Sequence, residues 1–176
     1  LAGVVVVTAD NAAARIAKRY KARVFAEESK GGHTAVIAAA AQRLAREECG
    51  GMLQIPGDIP LVTHEEISQL LRLHQPAPAF TIVPSHDDLG SNAVLVSPPN
   101  VVPLTFGENS FFPHLQVAGQ HGIEPLVVRL PGIGRDIDCA EDVHVFTNLR
   151  SATRTQSYLD DNGFKDWGCR TTNSRN

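Results

Sequence analysis

Along this chain, uninterrupted apolar runs alternate with stretches in which apolar residues recur every three or four positions. That is the alternation of strands and helices in an α/β protein. Residues 4–7 are four valines that stop at Thr8-Ala9-Asp10, the pattern of a strand buried on both faces. A helix follows, capped by Asp10 or Asn11, with Ile16, Ala17 and Tyr20 as its apolar face and Arg15, Lys18, Arg19 and Lys21 toward water. Arg23–Ala26 reads as a second strand and the alanine-rich residues 35–47 as a long helix. The next apolar run, from Met52, ends at Pro56-Gly57-Asp58. Thr63 with Glu66 three positions on is a capping box, opening a helix whose buried stripe is Ile67, Leu70 and Leu71, while His64 and His74 face solvent.

Gln75-Pro76-Ala77-Pro78 ends that helix, and residues 79–83 and 93–96 are strands separated by one polar loop. So short a loop favours antiparallel pairing, which makes an otherwise parallel sheet mixed. Phe111–Gln120 reads as a helix with Ser110 as N-cap, residues 126–130 as a strand, and a terminal helix begins after Asp138. The expected fold is a three-layer α/β/α sandwich with a mostly parallel mixed sheet. Residues 1–150 form one domain, and residues 151–176 form a polar, irregular tail that only Tyr158, Leu159, Phe164 and Trp167 can anchor.

Composition narrows the function classes. The 176 residues suffice for one α/β core. A net charge of −3 offers no general attraction to nucleic acid or an anionic membrane, so any phosphate is met locally. Cys49, Cys139 and Cys169 are odd in number and make no CxxC pair, which fits a reducing, cytoplasmic setting. The apolar runs are too short to span a membrane. Leu1-Ala2-Gly3 leads straight into a strand without a methionine, which sets the expectation that a segment precedes it.

Candidate chemistry lies where strands end. Asp58, between Gly57 and Pro60, leaves the end of a buried strand, the place where open α/β sheets bind ligands. It reads as a metal ligand or as a carboxylate capping a turn. Asp136 and Asp138, at i and i+2, point the same way in an extended segment and can join Asp58 around one cation. An oxygen-only set of this kind suits magnesium. The other reading has Asp138 capping the helix and Asp136 paired with Arg135. Gly31-Gly32-His33-Thr34 opens a helix, where backbone N–H groups receive phosphate or base edges, or simply make a loop. Gly90-Ser91-Asn92 offers backbone donors, a hydroxyl and an amide for a phosphate or carboxylate, or for a turn. Ser110 marks either an anion site at a helix start or a plain cap.

The ordered set of residues 54–61 (Gln-Ile-Pro-Gly-Asp-Ile-Pro-Leu), 90–93 (Gly-Ser-Asn-Ala), 106–110 (Phe-Gly-Glu-Asn-Ser) and 136–142 (Asp-Ile-Asp-Cys-Ala-Glu-Asp) resembles the 2-phospho-L-lactate guanylyltransferases. These belong to a nucleotidyltransferase superfamily of Rossmann-like fold, and the likeness covers residues 1 to about 150. It implies transfer of GMP from GTP to 2-phospho-L-lactate, phosphoenolpyruvate or 3-phosphoglycerate with release of pyrophosphate, in biosynthesis of coenzyme F-420. It further implies that Asp58, Asp136 and Asp138 are the catalytic, magnesium-binding acids and that Gly31, Gly32, His33 and Thr34, with Pro56 and Gly57, serve the nucleotide. It implies too that Ser91, Gly107 and Ser110, with Asn92, hold the phosphorylated acid. A further strand and a basic, triphosphate-cradling loop are expected before Leu1. The competing readings are a nucleotidyltransferase with a pterin or sugar-phosphate acceptor, and a non-catalytic nucleotide-binding module.

Overall fold

The computed structural model describes residues 1–26, 32–107 and 109–164. Gly31 of the expected nucleotide loop and Trp167 of the expected tail lie outside the described residues. β1 (Val5–Thr8), α1 (Asn11–Arg19) and β2 (Arg23–Ala26) form a parallel βαβ unit in register Val5↔Arg23 through Thr8↔Ala26. Asp10 caps α1, accepting the Ala13 N–H at 2.7 Å. The apolar face expected on α1 is only partly used: Ala17 is buried, but Ile16 is 54% and Tyr20 68% exposed. A two-stranded sheet is too narrow to cover the whole face of a helix.

α2 (Gly32–Arg46) leads to β3 (Met52–Gln54), and α3 (His64–Leu73) to β4 (Ala79–Pro84) and β5 (Ser91–Ser97). α4 (Phe111–Gln120), β6 (Leu126–Val127), α5 (Ala140–Asn148) and α6 (Arg154–Asp161) complete the order. The main sheet runs β3-β5-β4-β6, separate from the β1–β2 sheet. β5 is antiparallel to both its neighbours and β4 pairs with β6 in parallel, so the expected hairpin-like pairing around residues 85–90 is present. β5 alone opposes β3, β4 and β6, yet two of this sheet's three pairings are antiparallel, a more mixed sheet than the sequence pattern suggested.

Alternation along β4 and β5 feeds two cores. Phe80, Ile82, Val94 and Val96 pack with Ile37 and Ala41 of α2 and Phe111 and Ala118 of α4. Val83, Ala93 and Leu95 face the other way, onto Leu70 of α3 together with Ile59, Val128, Leu130 and Ile133. Full burial of a side chain such as Leu70 contributes about 2 kcal/mol. Leu71, expected beside it, stays 36% exposed. His74, expected in solvent, is half-buried and bridges Thr81 Oγ1 at 2.8 Å and Ser97 Oγ at 2.9 Å. The hydroxyls on β4 and β5 make a polar notch at the end of α3 that the helical pattern alone did not reveal.

Residues 151–164, read as irregular, contain α6, which packs on α5. Thr153 caps it by accepting the Gln156 N–H at 3.2 Å, and Gln156 and Leu159 are buried. Among the described residues no helix is long and apolar enough to cross a membrane.

Candidate functional site

Because β3, β4 and β6 run one way and β5 the other, the turn after β3, the loop between β4 and β5, and the segment after β6 emerge at one edge of the main sheet. Asp58 sits exposed in the turn after β3. Its backbone carbonyl accepts the Ile137 N–H at 3.1 Å, which ties its turn to the segment carrying Asp136 and Asp138. Asp136 is half-buried and Asp138 exposed. Partial burial, and then the negative charges of Asp136, Asp58 and Asp142, hold the Asp138 carboxyl above the usual carboxylate range. Like charges in one another's field are relieved by a bound cation, and an all-oxygen donor set is of the chemical kind that suits a hard divalent ion. Their side chains do not form a ready cage: among the described residues no three His, Cys, Asp or Glu side chains converge on one metal position.

The helix cap beside them belongs to other residues. Cys139 is the N-cap of α5, and Asp142 at the third helical position accepts the N–H groups of Cys139 at 2.9 Å and Asp138 at 3.0 Å. These bonds help to hold the Asp142 carboxyl below its ordinary value despite its partial burial. Asp138 is therefore not the capping side chain, which leaves its carboxylate available.

Two side chains fix the turn before the acids. Glu66, only 9% exposed, accepts the Gly132 N–H at 2.6 Å and the Ile133 N–H at 3.1 Å. Thr63 Oγ1 does accept the Glu66 N–H at 3.1 Å, as the capping box requires, but the Glu66 carboxylate reaches across to this turn. Asn92, 3% exposed, donates its amide to the Ile133 carbonyl at 3.0 Å. The structure thus commits Asn92, expected to touch the substrate, to the scaffold. A Cβ on Gly132 would collide with the Leu61 carbonyl oxygen and the Glu66 carboxylate, so only glycine fits there.

Ser91 and Ser110 are brought together. Ser110 Oγ donates to Ser91 Oγ at 3.1 Å, and the Ser91 hydroxyl meets His114 Nδ1 at 2.9 Å. His114 Nε2 accepts the Thr105 N–H at 3.1 Å. Burial pushes the imidazole of His114 down to about 4, so the ring is neutral at physiological pH. Ser110 occupies the N-cap position of α4 but makes no side-chain cap bond: its backbone is helical rather than extended (φ −72, ψ −15) and the third helical residue is Pro113, which has no N–H to give, while its hydroxyl donates to Ser91. The anion site expected at this helix start is correspondingly small. Phe111 N–H is spent on the Leu89 carbonyl at 2.9 Å and Pro113 has no N–H, so Phe112 alone is left in the first turn. Gly107, exposed in the loop just before, has φ +145, a conformation that favours glycine.

At the start of α2, Gly32 (φ +73) and His33 are exposed. Thr34 Oγ1 accepts the Phe106 N–H at 2.9 Å and donates to the Phe106 carbonyl at 3.1 Å. The Phe106 ring lies edge-on between His33, at 5.1 Å, and His114, at 5.0 Å. Thr34 therefore clasps the loop before α4 to the first turn of α2, and His33 is the exposed group beside it. Pro56 and Gly57 lie in the turn that presents Asp58, Pro56 half-buried and Gly57 exposed. Glu66 was read from the sequence only as a capping-box acid, not as the anchor of a distant turn, and His114 was not singled out. His114 stands four positions after Ser110, one helical turn, and that spacing was the available signal.

The chain matches the family described as guanylyl transferase CofC like over residues 1–175. It is 36% identical over 146 residues to the 3-phospho-D-glycerate guanylyltransferase of Colwellia psychrerythraea, covering 83% of this chain and 69% of that protein. It is 33% identical over 112 residues to the phosphoenolpyruvate guanylyltransferase of Rubrobacter xylanophilus, covering 64% of this chain and 55% of that protein. With the phosphoenolpyruvate guanylyltransferase of Nocardia farcinica it shares 30% identity over 174 residues, covering 97% of this chain and 74% of the relative. With its strand-end acids and its serine pair on one sheet edge, and with a match that runs from one end to the other, the chain belongs to the CofC-like guanylyl transferase family.

Proposed function

We propose that this chain transfers GMP from GTP to the phosphate of a small phosphorylated carboxylic acid, with release of pyrophosphate, as a cytoplasmic step of coenzyme F-420 biosynthesis. The observation that carries the reading is that two chemically different clusters, one of acids and one of hydroxyls, lie at one sheet edge. The acids Asp58, Asp136 and Asp138 share one electrostatic field, and the buried hydroxyl pair Ser91–Ser110 stands on the neighbouring strand and helix start. The names of the relatives, one acting on 3-phospho-D-glycerate and others on phosphoenolpyruvate, support an acceptor of that class. We further propose that the two sheets and the helices around them belong to one three-layer α/β/α sandwich.

In this mechanism an oxygen of the acceptor's phosphate attacks the α-phosphorus of GTP. The new O–P bond forms as the bond from the α-phosphorus to the bridging oxygen breaks, and pyrophosphate leaves with that electron pair. A phosphomonoester has a second pKa of about 6, so the nucleophile is already an anion and needs no base. His114 agrees with this, since its ring is neutral, buried and bonded at both nitrogens. Asp58, Asp136 and Asp138 would hold magnesium, which when bound supplies positive charge to the triphosphate. The hydroxyl pair holds the acid, and the Thr34–Phe106 clasp keeps the nucleotide loop and the acceptor loop in register, so the chain acts chiefly by positioning. Pyrophosphate release from GTP, with phosphoenolpyruvate, 2-phospho-L-lactate and 3-phosphoglycerate supplied in turn, tests the reading. Release dependent on one of the three supports it. Release that ignores which acid is present, or none with any of them, overturns it.

A further inference from the structure

The hydrogen-bond inventory of the buried serine pair assigns each proton. Ser91, Ser110 and His114 are 8%, 5% and 1% exposed. A nitrogen that accepts a hydrogen bond carries no proton, so His114 Nε2, facing the Thr105 N–H at 3.1 Å, is the bare nitrogen. A neutral imidazole then has its proton on Nδ1, and Nδ1 faces Ser91 Oγ at 2.9 Å. The opposite tautomer would set a donor against a donor at Thr105 and leave the Nε2–H of a ring only 1% exposed without an acceptor there. Ser91 Oγ thus accepts from His114 and, at 3.1 Å, from Ser110. A hydroxyl has two accepting lone pairs and one hydrogen. Both lone pairs of Ser91 are occupied, and its hydrogen remains.

We propose that His114 is a positioning residue which, together with Ser110, leaves Ser91 as a one-hydrogen donor presented to an anionic oxygen of the acceptor acid. The inference rests on the acceptor-site reading above and deepens it. Ser91 is the hydroxyl that touches the acid, and Ser110, its hydrogen already given away, acts through Ser91. An accept-only ligand group, a carboxylate or phosphate oxygen, matches this donor. A ligand hydroxyl or amine would meet a hydrogen where it needs a lone pair.

Calorimetric binding of phosphoenolpyruvate and of 3-phosphoglycerate to the full chain tests this, using Ser91→Ala, His114→Phe, His114→Asn and the double variant Ser91→Ala/His114→Phe. The expected result is about a tenfold loss of affinity for the bound acid in Ser91→Ala and in His114→Phe, the size of one lost hydrogen bond, with GTP affinity unchanged. The double variant is no weaker than Ser91→Ala alone, because both changes remove the same contact. His114→Asn, whose amide stands near the place of Nδ1, recovers part of the loss even if His114→Phe packs poorly. Imidazole nitrogen shifts of the unliganded chain, with His114 assigned by difference against His114→Asn, show the Nδ1–H tautomer. Losses that add in the double variant, an Nε2–H tautomer, or wild-type binding in both His114 variants while Ser91→Ala is impaired would overturn the inference and leave the acceptor site standing. Failure of the unmodified chain to bind either acid, or equal binding by Ser91→Ala, would overturn both.

Discussion

Replacing Glu66 by alanine strips the acceptor from two buried backbone N–H groups at once, those of Gly132 at 2.6 Å and Ile133 at 3.1 Å. Ile133 is fully buried and Gly132 is buried as well. An unsatisfied buried donor costs about 1–3 kcal/mol, so two of them, with the small cavity left behind, give about 4 kcal/mol. In a domain of this size each kcal/mol moves Tm by about 2–4 °C, so the alanine variant should melt about 8–16 °C below the parent. Glu66→Gln keeps one carbonyl oxygen but sets an amide NH2 against the second N–H, for a loss of about 2 kcal/mol. Urea titration followed by circular dichroism should show a lower midpoint at unchanged slope. Hydrogen exchange at Gly132 and Ile133 should accelerate before that of β4 and β5. An alanine variant within about 0.5 kcal/mol of the parent would refute the reasoning, since that is the range of an ordinary surface substitution.

Gly132→Ala should be at least as damaging as Glu66→Gln, because its Cβ would strike the Leu61 carbonyl and the Glu66 carboxylate, and a thermal melt with normal Tm would contradict the tight turn. Asp138→Asn removes a carboxylate whose ionisation the fold opposes through burial and the charges of Asp136, Asp58 and Asp142. The metal-free variant should therefore be no less stable than the parent at pH 7, while its magnesium-dependent GTP binding falls at least tenfold, and a fall in stability with binding intact would reverse that assignment. His114 has its folded pKa depressed to about 4 against an unfolded value of about 6.5. The unfolded chain binds the proton first, so stability is full above pH 6.5 and declines toward pH 4, by up to about 3 kcal/mol from this group. His114→Asn should lose this part of the acid sensitivity, which urea titrations at pH 7 and pH 4.5 measure directly.

Local pattern carried the elements well and the long-range partners poorly. Arg23–Ala26 and Phe111–Gln120 stand where the periodicity sets them, and Thr63 caps α3 as its position requires. Each of these depends on residues within one turn or one strand. Glu66 was legible as a capping-box acid, yet its carboxylate goes to a turn 66 residues away, because two buried N–H groups offer more than one solvated cap. Ser110 was read as a cap for the same local reason, but its backbone is helical and Pro113 offers no N–H for its oxygen to accept, so its hydroxyl turns to a buried partner on β5. The separation of β1–β2 from the main sheet left no trace in the valine run of residues 4–7, since an apolar run does not name its neighbour. That Asp58 would lie near Asp136 and Asp138 was readable, because each follows a strand of the same sheet running in the same direction. His114 was not, because a histidine inside an apolar helix face has the same local appearance whether it fills space or orients a hydroxyl.

Following an oxygen-18 label from the acceptor's phosphate through the reaction with GTP tests the central claim most directly. Attack of that phosphate on the α-phosphorus predicts that one labelled oxygen becomes the bridge of a new diphosphate linking GMP to the acid, that the others stay on the acid's phosphorus, and that the released pyrophosphate carries no label. Label in pyrophosphate, or a product without the acid's own phosphorus, would contradict guanylyl transfer to the phosphate.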